Sequence, residues 1–370
     1  AVEATSAGKT ETATTEAAAT DEATTDAAAT TASSEVTYKG DIEIMHYSTA
    51  EEENSKNGGA TAFRYAIGEW EAAHPDITLT QNVLSNNDYK DKIAVITGSG
   101  NGIGKALALG SAERGAKILV VDIHADDAEK TVAEIKEKGG EAVALQADVS
   151  LSEECQKVFD TCMELFGRCD LLINNAGVSA LGEVTEATER DLQWVTSVNY
   201  FAHFYMMRRF IPQMIKQKTH CQILNVCSIA GIITSIAAPI YFSTKHAAVA
   251  LSEATYKFLK GREYDIDISV FCPGFVQTEM YLTDRHRPER FKINDDPFYH
   301  SETYQKYLEL NKQVLAGGKS LEEVIPMIFE ALDKEQFYIL THPQYDTLIR
   351  KQDEYEADMI RPIDYADVAE

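Results

Sequence analysis

The chain has 370 residues, 44% of them hydrophobic, and a formal net charge of -25. That length holds two domains or one large one, and the apolar fraction is enough for a buried core. So acidic a balance excludes a nucleic-acid binder, because phosphate contacts need a clustered basic surface.

Residues 1–39 are almost wholly Ala, Thr, Ser, Glu and Asp. Such a stretch buries too little apolar surface to offset the entropy of ordering, and it reads as a disordered acidic spacer. Residues 40–88 differ: "DIEIMHYST" alternates like a strand, "ATAFRYAIGEWEAAHP" carries a helical apolar stripe, and "DITLTQNVLS" reads as a second strand. This is one βαβ unit, too small for a core of its own. Over 89–345 strands and helices alternate, which predicts an α/β fold of the Rossmann type: a doubly wound parallel sheet covered on both faces. An acidic tail, 346–370, closes the chain. No apolar run reaches membrane-spanning length, and none reads as an intact signal peptide. The six cysteines, 155, 162, 169, 221, 227 and 272, form no C-x-x-C pair. They read as buried small hydrophobes, and no metal site is expected.

The chemistry begins at "KIAVITGSGNGIGKA". The strand ends in a turn holding Gly98, Ser99, Asn101, Gly102, Ile103 and Gly104, spaced T-G-x-x-x-G-x-G. Side-chain-free positions let such a turn tighten and bring backbone N–H groups to a pyrophosphate at a helix N-terminus. Asp122, at the end of "KILVVD", can accept hydrogen bonds from ribose hydroxyls and repels a 2′-phosphate. Simple capping of a strand end is the plainer reading of that carboxylate. NAD is favoured over NADP.

With these residues the chain resembles the short-chain dehydrogenase/reductase family over residues 89–342. "ADVS", "LLINNAG" and "CPGFVQTEM" match its further motifs. The resemblance implies that Asp148 and Val149 hold the adenine and that Asn175, Ala176 and Gly177 line the central strand's end. Pro273, Gly274, Val276 and Thr278 would then receive the nicotinamide. Residues 40–88 resemble the start of an extracellular solute-binding protein of the ABC-transporter type, and the spacer resembles a lipoprotein tether. The two-lobed body of such proteins is absent.

The family's signature, a serine with Tyr-x-x-x-Lys thirteen residues on, occurs twice: Ser228/Tyr241/Lys245 and Ser243/Tyr256/Lys260. Ser228 ends the strand "QILNVCS" and Tyr241 opens a new helix, so both reach the carboxyl edge of the sheet. Ser243 lies thirteen residues from Tyr256 along one helix, about 20 Å away at 1.5 Å per residue. Tyr241 is therefore the expected proton donor and acceptor. Lys245, one turn on, sets a positive charge beside it and would bind the nicotinamide ribose, and Ser228 would hold the substrate oxygen. Asn199, in "SVNY", matches the family's fourth catalytic member, which positions a water; it reads equally as a structural kink.

The resemblance implies an NAD-dependent oxidoreductase acting on the CH–OH group of a secondary alcohol, or on the ketone. The segment 280–312 is where the family places its substrate lid; its aromatics, Tyr281, Phe291, Phe298, Tyr299, Tyr304 and Tyr307, predict a bulky apolar substrate. The helices 199–217 and 241–260 resemble those that pair family members into homodimers and homotetramers, and "FYILTHP" (337–343) reads as a last strand. Two other functions stay open: an exported solute-binding module, and a catalytically silent dinucleotide-binding regulator. NAD chemistry and unpaired cysteines point to the cytoplasm, the spacer to export; the chemistry decides for the cytoplasm.

Overall fold

The computed structural model describes residues 42–46, 79–83, 89–235, 238–293, 295–360 and 362. The chain divides into two compact units. One contains most of the strands β1 (Ile42–His46) and β2 (Leu79–Val83), which pair as a two-stranded sheet. The expected helix between them, the spacer, and most of the stretch resembling a solute-binding lipoprotein lie outside the described residues.

The second unit is built on a seven-stranded sheet, all of whose pairs are parallel. Its strands are β3 (Ile93–Thr97), β4 (Lys117–Asp122), β5 (Glu141–Gln146), β6 (Leu171–Asn174), β7 (Cys221–Val226), β8 (Ile266–Phe271) and β9 (Tyr338–Ile339). Their spatial order is β5-β4-β3-β6-β7-β8-β9. The chain winds outward from β3 through β4 to β5, then crosses back to β6 and winds the other way. The reversal between β3 and β6 is a switch point, where a doubly wound sheet opens its ligand crevice at the carboxyl ends.

Alternate side chains of β3 explain the helices on both faces. Ala94 and Ile96 pack with Leu107 and Ala108 of α1 (Gly102–Glu113), Val132 and Ile135 of α2 (Ala125–Glu137), and Val324 and Ile328 (Leu321–Asp333 helix). Ile93 and Val95 face the opposite layer, with Cys155, Val158 and Cys162 of α3 (Ser152–Phe166) and Met206, Phe210 and Met214 of α5 (Ala202–Gln217), which follows the short α4 (Glu189–Thr196). β3 is buried along its whole length, as a central parallel strand must be. All six cysteines are buried and unpaired, as the sequence suggests.

Two extents differ from the sequence expectation. The last strand is only Tyr338–Ile339, because Thr341 and His342 leave the ladder to bond elsewhere. The acidic stretch from 346 begins as a helix, Asp346–Ala357, with Leu348 buried and the Gln352 amide donating to the Ile232 carbonyl at 2.8 Å. Among the described residues no helix is long and apolar enough to cross a membrane.

Candidate active site

The turn after β3 is held open by its own backbone. Gly98 and Gly102 sit at φ 61° and 55°, where a side chain is strained. A Cβ on Gly104 would come within 2.2 Å of the Gly98 carbonyl, so the glycine lets α1 pack onto the turn. A Cβ on Gly102 would meet nothing nearer than Thr278 at 3.7 Å: it would project into the groove that a pyrophosphate needs. Asn101 caps Gly102 N–H at 2.7 Å, and the first turn of α1 carries no acid of its own, which favours an anion at its positive end. The residues present therefore fit a dinucleotide phosphate.

Asp122, at the end of β4, lines the same groove, 6% exposed. Its two oxygens accept the Gly100 and His124 N–H groups at 2.9 and 3.0 Å. The carboxylate thus caps the turn, the plainer of the two readings of the sequence, while also lining the crevice. Asp148 accepts from Ser150 and pairs with Arg290 at 2.7 Å. Asn175 ties the switch point together: its amide donates to the Thr97 and Gly98 carbonyls at 2.9 and 2.8 Å.

Across the switch point, Ser228 follows β7 and Tyr241 lies in the first turn of α6 (Pro239–Gly261), started by Pro239 at its first position. Lys245, one turn on, is 2% exposed, donates to the Val226 carbonyl at 3.0 Å and lies 5.6 Å from the Tyr241 ring centroid. Ser228, Tyr241 and Lys245 line one cavity of about 500 Å³ with Gly98, Asn101, Gly102, Ile103, Asp122, Asp148, Val149, Asn175, Ala176, Gly177, Pro273, Gly274, Val276 and Thr278. In the alternative set Lys260 lies 5.8 Å from the Tyr256 ring centroid, but none of the three residues lines this cavity. Ser243 bonds back to Pro239, Tyr256 packs on Phe337 at 4.9 Å, and Lys260 pairs with Asp267 at 2.5 Å.

Three expected residues stand behind the cavity wall. Ser99 is fully buried, donating to the Ile96 carbonyl and accepting from Val121 N–H, so it staples the turn. Gly104 acts through packing. Asn199 lies in a π-helical turn, Ser197–Phe201. Its amide accepts from Val178 N–H and donates to the Val178 carbonyl, both at 2.9 Å, and to Thr244 at 3.2 Å. Those bonds fix the chain just beyond Gly177. The structural reading of Asn199 is seen here as a π-turn, a feature frequent near functional sites.

Other residues around the site were not evident in the sequence. His203, one turn after Asn199, is 2% exposed; burial, then the Lys245 charge, pushes its pKa down to about 4. Its four-residue spacing from Asn199 is the one signal that could have marked it. His342 contacts the loop after β8, and no local pattern marks it. The lid segment also clasps the groove: Asn101 and Arg285 both donate to Glu279, at 2.8 and 3.1 Å. Of the six lid aromatics only Tyr307 lines the cavity. Tyr299 and Tyr304 instead bond Asp191 and Asp284 at 2.5 and 2.8 Å and pin the lid down.

A family model described as short chain dehydrogenase matches residues 92–289. The "CLA biosynthesis dehydrogenase/reductase" of Lactiplantibacillus plantarum is 44% identical over 262 residues, covering 71% of this chain and 92% of that protein. A "diacetyl reductase [(S)-acetoin forming]" of Staphylococcus epidermidis is 35% identical over 204 residues, 55% of this chain and 78% of that one. Among solved structures, a short chain dehydrogenase/reductase from Burkholderia phymatum in complex with NAD superposes with a TM-score of 0.72 at 32% identity. It covers 75% of this chain and 98% of that one. Motif order, sheet topology and these likenesses agree: this chain is a member of the short chain dehydrogenase family.

Proposed function

We propose that the chain is an NAD-dependent oxidoreductase interconverting a secondary alcohol and a ketone. The observation that carries this reading is the convergence of Ser228, Tyr241 and Lys245 on the cavity that the glycine turn and Asp122 also line. The nicotinamide, when bound, gives or takes the hydride. The protein's part is to move a proton and hold the reacting oxygen. Tyr241 exchanges that proton at its phenolic oxygen. Lys245 places a cation beside the ring and, with one N–H committed to Val226, has two left for a ribose. Ser228 Oγ accepts from Ala230 N–H at 3.1 Å, which leaves its own O–H to donate to the substrate oxygen. Asn199 keeps the wall at Val178 in place.

Asp122 favours NAD, since a 2′-phosphate would meet its charge. A bulky apolar substrate is supported by the cavity's apolar lining, which includes Val178, Leu181, Trp194, Phe275, Leu310 and Val314. It also accords with the relative named for CLA biosynthesis. Six buried free thiols and NAD chemistry suit a reducing compartment, so we place the protein in the cytoplasm.

The test is the absorbance of reduced nicotinamide across a panel of long-chain, bulky and short polyhydroxylated alcohols and ketones. Tyr241→Phe should lower turnover by about 10²- to 10⁴-fold while NADH still binds. Equal turnover by wild type and Tyr241→Phe would favour the silent regulator instead. Preference for short polyols would reject the apolar substrate.

A further inference from the structure

The loop Pro273–Thr278 forms the nicotinamide end of the cavity in the reading above, on which this inference rests. We propose that His342, beyond the segment that the family model matches, is a positioning residue that holds this loop in its receptive shape.

The geometry is specific. His342 is 6% exposed and follows the short last strand of the sheet. Its Nδ1 accepts the Gly274 N–H at 3.0 Å, and the Thr341 hydroxyl lies 2.9 Å from the same nitrogen. With a backbone donor aimed at Nδ1, the ring proton must sit on Nε2, and Nε2 donates to the Phe275 carbonyl at 3.0 Å. One neutral imidazole therefore grips two consecutive residues, Gly274 by its N–H and Phe275 by its C=O. Gly274 makes this approach possible: a Cβ there would stand 2.7 Å from the Tyr345 ring and 2.9 Å from His342 Cγ. Gly274, Phe275 and Tyr345 all line the cavity, so the grip lies directly behind the cavity wall.

A second anchor lets the two ends of the loop be separated. Lys319 N–H donates to the Phe275 carbonyl at 3.0 Å, and Gln277 N–H donates to the Lys319 carbonyl at 2.8 Å. Without His342 these bonds still hold Phe275 to Thr278, but the Gly274 N–H loses its acceptor and the Pro273–Gly274 turn can rotate. The change falls on the cofactor's seat and not on the proton-transfer groups. Loss of His342 should therefore weaken cofactor binding far more than it slows turnover at saturation.

The experiment uses the full chain and two variants. His342→Leu removes both bonds, whereas His342→Asn offers Oδ1 near the position of Nδ1. NADH affinity is read by energy transfer from tryptophan, since Trp194 lines the cavity, alongside melting temperature without cofactor and kcat and KM for NAD. The expected result is a tenfold or greater weakening of NADH binding and rise in KM for His342→Leu, with kcat within threefold. His342→Asn should restore most of the affinity. The proposal fails if both variants bind NADH as the wild type does, or if affinity and kcat fall together in both, in step with melting temperature. A wild-type chain that ignores NADH would overturn the oxidoreductase reading itself, and this proposal with it.

Discussion

His203 shows how one buried ring can carry a pH dependence. Its Nδ1 lies 2.7 Å from the Asn199 carbonyl and its Nε2 3.0 Å from the Asn174 carbonyl, two acceptors for a ring that has one proton when neutral. Protonation would satisfy both, yet burial and the Lys245 charge hold the folded-state pKa at about 4, below the ordinary value of 6.5. The sign follows. As pH falls below about 6.5 the unfolded chain takes up this proton first, so stability is full above that point and erodes toward pH 4. The erosion from this group is on the order of 3 kcal/mol when complete. Unfolding by urea at pH 7.5, 6 and 5 should show a steeper loss for wild type than for His203→Gln; parallel slopes would contradict it. At this scale the sequence was most legible where chemistry dictates spacing. Ser228, Tyr241 and Lys245 were readable because a strand end, a helix start and one helical turn must bring them together. His203 and His342 were not, because each works through the backbone, and backbone partners leave no trace in residue identity.

The lid illustrates the same limit for whole elements. Its aromatics suggest a cover over the substrate, but Tyr299 and Tyr304 are spent on a buried anchor. Arg287, its side chain 4% exposed, stacks 4.0 Å from the centroid of the Trp194 ring and pairs with Asp284 at 2.8 Å. Its Nη2 also lies 2.8 Å from Asp191 Oδ1, a contact of charges without hydrogen-bond alignment. Asp191 belongs to the capping box that starts the helix Glu189–Thr196, so one carboxylate joins a helix start, an arginine and the Tyr299 hydroxyl. Removing the cation strands a fully buried carboxylate. Arg287→Ala should cost about 3–5 kcal/mol and raise hydrogen exchange across 280–316 before the sheet is affected. Unchanged exchange in that segment would show the anchor to be dispensable. No periodicity reveals such an anchor, since its members are a hundred residues apart. The sheet, by contrast, was legible because strands buried on both faces must be nearly continuous runs of apolar residues.

For the molecule as a whole, the doubly wound order and the placement of the crevice followed from alternating strands and helices, while association depends on a surface that only coordinates delineate. Tyr200, Phe201, Tyr205 and Phe204, in that order, form a continuous row of rings, with centroids 5.6, 6.1 and 6.2 Å apart, where the π-turn enters the helix Ala202–Gln217. Phe201 and Phe204 are 42% and 41% exposed, and Phe258, at the far end of α6, is 49% exposed. Aromatic rings are concentrated where proteins meet, and a row of them facing water on a chain with a net charge of -25 calls for cover. The two helices that carry these rings are those the family resemblance assigns to pairing, so a second copy is the expected cover. Charge sharpens the expectation: so acidic a chain repels its copies at long range, and only a large apolar contact, on the order of 1,600 Å² in total, would hold them together. Light scattering after size exclusion should therefore give an assembly whose mass barely changes between low and high salt. Phe201→Lys with Phe204→Glu should shift it toward the 40.9 kDa monomer. The π-turn that carries Asn199 begins at the same surface, so the variant's turnover should fall with its mass; a monomer of full activity would separate assembly from catalysis.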